Sequence, residues 1–123
     1  LELDPTKLSE EEKAEIRREI KEYKELCPII KDGDFYRLLN TPDASCCLSI
    51  SEDKKDGVLI AVRRLSHGNP KDHYVRLKGL DNKTLYRLGD KVFYGSFLMN
   101  YGFLLPFTYS EDLEAIRVRI KAL

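Results

Sequence analysis

Apolar and polar residues alternate along this chain with two different periods. Ile16, Ile20, Tyr23, Cys27 and Ile30 recur at steps of four and three, drawing one apolar stripe on a helix. Arg17, Arg18, Lys21, Glu22 and Lys24 lie around the rest of it. Ser9 followed by Glu10, Glu11 and Glu12 has the capping-box pattern, and three carboxylates suit the positive end of a helix dipole. Pro28 lacks an amide hydrogen and restricts its predecessor, so the helix is expected to end near Cys27. A single stripe needs a neighbour to cover it.

Beyond Lys31-Asp32-Gly33-Asp34 the period falls to two. Short strands are predicted over 34–40, 45–52, 57–65, 73–80, 83–88, 91–98 and 114–122, separated by turn-forming clusters such as Asn40-Thr41-Pro42-Asp43 and His67-Gly68-Asn69-Pro70. The last is the plainest: Ile116, Val118 and Ile120 alternate with Arg117, Arg119 and Lys121, one face dry and one wet. Many amphipathic strands without helices between them indicate a mainly β fold. The expectation is an antiparallel, Greek-key-like β-sandwich of about seven to eight strands, preceded by one amphipathic α-helix. The expected division is a helical segment over 1–31 and a β-domain over 32–123.

One stretch fits neither period. Residues 94–107, YGSFLMNYGFLLPF, crowd large apolar side chains around Gly95, Gly102 and Asn100. Glycines permit tight turns or bulges, and an Asn side-chain amide ties down a turn. Without a charged group the segment reads as a structural corner or an interdomain seam rather than a ligand loop.

At 123 residues the chain has the size of one domain and can build a core unaided. Lys plus Arg and Asp plus Glu each number 21, so no overall basic excess points to nucleic acid. Three cysteines, Cys27, Cys46 and Cys47, make no disulfide or zinc framework. Adjacent Cys46 and Cys47 point to opposite faces of a strand, which suggests free thiols in a reducing, cytoplasmic setting. No apolar run approaches the roughly 20 residues of a membrane span. Residue 1 is Leu and the only Met is Met99, so the chain reads as a piece of a longer protein.

Catalytic constellations are weak throughout. His67 and His73 flank a turn without a third ligand. Asp32/Asp34, Asp53/Asp56 and Glu111/Asp112 sit where turns and caps use carboxylates, rather than as a glycosidase pair about 5 to 10 Å apart. Trp, the usual sugar-stacking residue, is absent, and Phe35, Tyr36, Tyr74, Tyr86, Phe93 and Tyr94 occupy strand positions suited to packing. The residues by themselves nominate no catalytic, cofactor-binding or metal-binding residue and no cofactor.

The 94–107 stretch resembles a segment near the C-terminus of the α-galactosidases of glycoside hydrolase family 36, through Tyr94, Gly95, Leu98, Met99, Asn100, Gly102 and Pro106. GDFYRLL (33–39) resembles the entry into that family's C-terminal β-domain, and VRLKGLDNKTLYRL (75–88) its central hairpin. LELDPTKLSEEEKAEI (1–16) is similar to the approach to its last barrel helix. Cys46-Cys47, Ser96-Phe97 and Phe103 depart from the family's usual residues. The resemblance implies a non-catalytic accessory domain whose parent hydrolyses terminal α-galactosides with two barrel aspartates that no position here matches. It also implies one partner, a catalytic (β/α) barrel of the same polypeptide, met through Ile16, Ile20, Tyr23, Cys27 and the 94–107 segment, in a parent that is a homo-oligomer. The alternatives are an independent carbohydrate-binding module and a protein-interaction domain.

Overall fold

A computed structural model describes residues 4–64, 72–108 and 113–123. A short 3₁₀ turn at Pro5–Lys7, capped by the Asp4 carboxylate, leads into helix α1, Glu10–Asp32. The capping box forms as the sequence predicts: the Glu12 amide donates to Ser9 Oγ at 3.2 Å, and the Ser9 amide to Glu12 Oε2 at 2.8 Å.

The helix does not end near Cys27. It runs through Pro28 to Asp32, where the Gly33 amide caps the Ile29 carbonyl at 3.0 Å. Pro28 forfeits one helical bond, but it and Lys24 lie on the exposed side, where water can serve the orphaned carbonyl. Leu26 and Ile29 bracket it and are buried together with Val58 of the sheet, and that packing holds the turn on both sides.

Among the described residues eight strands follow: β1 Asp34–Asn40, β2 Ala44–Ile50, β3 Asp56–Arg63, β4 Tyr74–Val75, β5 Leu85–Leu88, β6 Lys91–Tyr94, β7 Phe103–Leu104 and β8 Glu114–Ala122. Six form one antiparallel sheet in the order β1-β2-β3-β8-β5-β6, while β4 and β7 pair as a separate ribbon. The last strand thus fills a slot between β3 and β5, the kind of long return that gives a Greek key its crossing. The sandwich is lopsided: one broad sheet is faced by the ribbon, the extended stretches beside it and a short helix, α2, at Gly95–Asn100.

That second layer departs from the alternation expected for 73–80 and 91–98. Only Tyr74–Val75 pairs as a strand in the first, and in the second the strand stops at Tyr94 and becomes α2. The sequence reading also passed over β7, which is two residues long and too short to show a period. The turn at 67–70 and the Glu111/Asp112 pair lie outside the described residues.

One cluster fills the space between the layers. Leu48, Ile50, Leu59, Tyr86, Leu88 and Ile120 of the sheet meet Leu77, Leu98 and Leu105 of the facing layer, all almost wholly buried. Tyr86 also serves the loops: its hydroxyl accepts from the Asp81 amide at 3.0 Å and donates to the Lys54 carbonyl at 2.9 Å. Asp81 caps its own turn by accepting from the Lys83 and Thr84 amides at 2.9 and 3.1 Å.

Candidate functional site

Helix α1 docks on the opposite face of the sheet, over β2 and β3. Leu26 and Ile29 supply its apolar contact. Arg117 of β8 reaches Glu22 at 2.9 Å and Glu19 at 3.2 Å. Charge-assisted bonds to those carboxylates, Glu19 first, raise the Arg117 guanidinium above its ordinary pKa. Next to it Arg119 grips Asp56 with two bonds, 2.7 and 2.6 Å, which raise its pKa as well.

The docked face of α1 is therefore one residue out of step with the stripe expected to meet a neighbour. Positions 19, 22, 26 and 29 lie about 100° around the helix from 20, 23, 27 and 30. Ile20 is 48% exposed, Tyr23 62% and Ile30 45%, while Ile16 and Cys27 are half-buried. The helix holds the sheet with one side and presents a second apolar side outward.

The 94–107 segment proves to be a corner. The Gly95 amide donates to the Thr84 carbonyl at 2.9 Å, the Ser96 amide to the Asn82 carbonyl at 3.2 Å, and Leu98 accepts from the Leu77 amide at 2.9 Å. Gly95 is obligatory there, because a Cβ would collide with the Asp81 carbonyl oxygen. Gly102 has φ +104°, and a Cβ would stand 2.7 Å from the Val75 carbonyl oxygen. Asn100 ties the turn as expected, its Nδ2 donating to the Ser96 carbonyl at 2.8 Å.

Leu98, Phe103, Leu105 and Phe107 point from this corner into the core, and other side chains point out. Phe93, Phe97 and Tyr101 stack with centroids 5.4 and 5.3 Å apart, and the ladder ends on Tyr101 at 76% exposure. The aromatic residues assigned to packing divide accordingly. Tyr86 is buried and Tyr36 and Phe93 pack against the core, but Phe35, Tyr74 and Tyr94 stand open.

Titratable groups gather nowhere in a catalytic pattern among the described residues, and no three His, Cys, Asp or Glu side chains could share a metal ion there. His73 packs edge-on against Phe107, and His67 lies outside the described residues. Asp53 accepts from Ser51 Oγ at 2.6 Å and from the Lys55 amide at 3.1 Å, bonds that hold its carboxyl below the usual range, the Ser51 bond first. Cys46 lies in the core, where burial, and secondarily the charge of Cys47, pushes its thiol up to about 12. Arg63 is the one cation among the buried residues described, with Glu114 3.4 Å away. No helix described is long and apolar enough to cross a membrane.

A cleft of about 890 Å³ opens beside β8, between Arg117–Arg119 and the β5–β6 hairpin. Sequence reasoning missed it, because its walls are distant in the chain and no motif marks them.

Residues 44–120 match the Glycosyl hydrolase family 36 C-terminal domain. Among curated proteins, the bifunctional alpha-galactosidase/sucrose kinase AgaSK of Mediterraneibacter gnavus is 35% identical, over 93% of this chain and 12% of its own. Alpha-galactosidase AgaA of Geobacillus stearothermophilus is also 35% identical, over 98% of this chain and 17% of its own. The crystal structure of AgaA superposes with a TM-score of 0.90 at 34% identity, covering 99% of this chain and 17% of that one. The Lactobacillus brevis alpha-galactosidase superposes at 0.88 with 25% identity, covering 99% of this chain and 18% of that one. The chain thus spans between 12% and 18% of these relatives. Sequence match and superposed fold agree along its length: the chain belongs to the C-terminal domain family of glycosyl hydrolase family 36.

Proposed function

We propose that this chain is a non-catalytic accessory domain that docks against the catalytic barrel of an α-galactosidase, with α1 as the last helix of that barrel and the β-domain following it, the expected boundary at 31/32 moving past Asp32, which the helix includes. The observation that carries the reading is the second apolar side of α1. A helix with Leu26 and Ile29 already anchored has no internal use for Ile20, Tyr23 and Ile30, and packing against a neighbouring unit would bury them. The outward Phe97 and Tyr101 of the corner, on the other side of the sheet, would offer such a neighbour a second apolar contact. In this reading the parent cleaves terminal α-galactosides, assembles as a homo-oligomer and works in the reducing cytoplasm. The three free thiols suit that compartment.

The test is direct. The purified 123-residue chain should fold and release no galactose from an aryl α-galactoside. Robust hydrolysis would end the proposal. Its bare stripe should also drive self-association in sedimentation, which Ile16→Asp with Ile20→Asp should abolish. Strictly monomeric behaviour of both chains would remove the stripe as a docking face.

One observation favours a second reading, an independent sugar-binding module: the stack that ends on open Tyr101 offers a flat ring to a sugar face. Titration with galactose and raffinose, followed by amide NMR, separates the two. Saturable shifts around Phe97 and Tyr101 favour the module, and silence up to high millimolar sugar rejects it.

A further inference from the structure

Successive residues of a strand point to opposite faces of a sheet. Yet Arg117, Val118 and Arg119 all line the cleft beside β8, and so does the unbroken run Arg87 to Lys91 across from them. A cleft that touches both faces of a strand runs along its edge. The pairing agrees: β5 matches β8 only at Ile120, Lys121 and Ala122. Over Arg117–Arg119, no strand among the described residues joins β8 on that side, and the sheet parts like a fork.

The floor of this fork is apolar, formed by Leu88, Phe93, Phe103 and Val118. Its rim carries five cations, Arg87, Lys91, Arg117, Arg119 and Lys121, against one carboxylate, Asp90. In a chain of zero formal net charge this is a marked local excess. Arg117 and Arg119 are held by Glu19, Glu22 and Asp56. No ion pair engages Arg87, Lys91 or Lys121 among the described residues. Arg87 and Lys121 stand directly opposite each other in the ladder, a like-charge placement that Asp56, across from Lys121 on β3 and already bonded to Arg119, offsets only in part.

We propose that the fork receives an extended acidic segment, carboxylates alternating with aliphatic side chains, which adds to the free edge of β8. Edge pairing would supply main-chain hydrogen bonds, the floor would take the aliphatic side chains, and Arg87 and Lys121, on the other face, would meet the carboxylates. The source of the segment rests on the accessory-domain reading: it is the remainder of the parent polypeptide, since relatives carry most of their length outside the matching region.

The probe is an octapeptide alternating glutamate and valine, added to the 15N-labelled chain, with a lysine–valine octapeptide as the control. The glutamate peptide should shift amides near Lys91 and Val118 saturably, weaken at least about ten-fold as salt rises, and lose affinity when alternate amides are N-methylated. Arg87→Glu with Lys121→Glu, both on the exposed surface, should reverse the preference toward the lysine peptide. Equal binding of the two peptides, indifference to N-methylation, or no saturable shift at millimolar peptide would overturn the proposal. Galactoside hydrolysis by the chain would instead remove the parent as the segment's source and leave the edge site standing.

Discussion

Cys46 shows how far one buried group can be read. Its thiol is raised from 9.0 to about 12, chiefly by burial, so the folded chain holds that proton more tightly than the unfolded one. The resulting stability is complete below 9.0 and lost as pH climbs toward 12. Urea denaturation should show wild type weakening across that window, whereas Cys46→Ala should be less stable at neutral pH but flatter in alkali. An equally steep alkaline fall in the variant would assign the loss to other groups. Gly102 makes the second test at this scale. With φ +104° and no room beside the Val75 carbonyl, Gly102→Ala should cost about 1–3 kcal/mol in thermal unfolding. These two residues were legible to different degrees. A Gly in an apolar run announces a special backbone, but the depth of Cys46 depends on which layer covers β2, and no local signal carries that.

Elements were clearest where their period was long. The helix start, β1, β2 and β8 follow from capping and alternation almost residue for residue. The errors share one cause, a tertiary contact that overrides a local preference. Packing of Leu26 and Ile29 on Val58 carries α1 through Pro28, and tethers from Thr84, Asn82 and Leu77 turn 95–100 into a helix where alternation suggested strand. Since the helix survives its proline, Pro28→Ala should restore a backbone donor and stabilise the chain by about 1–3 kcal/mol. No gain in chemical denaturation would mean that the proline bends the helix onto the sheet to advantage. The two sides of α1 should also separate cleanly. Leu26→Ala or Ile29→Ala should cost about 2–3 kcal/mol, whereas Ile20→Ala should stay within about 0.5 kcal/mol of wild type in the isolated chain.

Across the whole molecule, sequence periodicity anticipated a helix followed by an antiparallel sandwich, and the order of the sheet came from elsewhere. Nothing along the chain says that β8 enters between β3 and β5, or that β5 joins it only at its last residues. Those placements depend on which faces and edges are left over once the hairpins have formed. Arg117 and Arg119 read, correctly, as the wet face of a strand, but their engagement with α1 and Asp56 needs the third dimension.

That engagement fastens the first long element of the chain to its last strand. A protease nick in the Asp32–Asp34 joint should therefore release nothing under native conditions, because Leu26, Ile29 and the guanidinium contacts of β8 would keep the severed helix in its seat. The joint is a covalent convenience, and the helix travels with the sheet as a single mount.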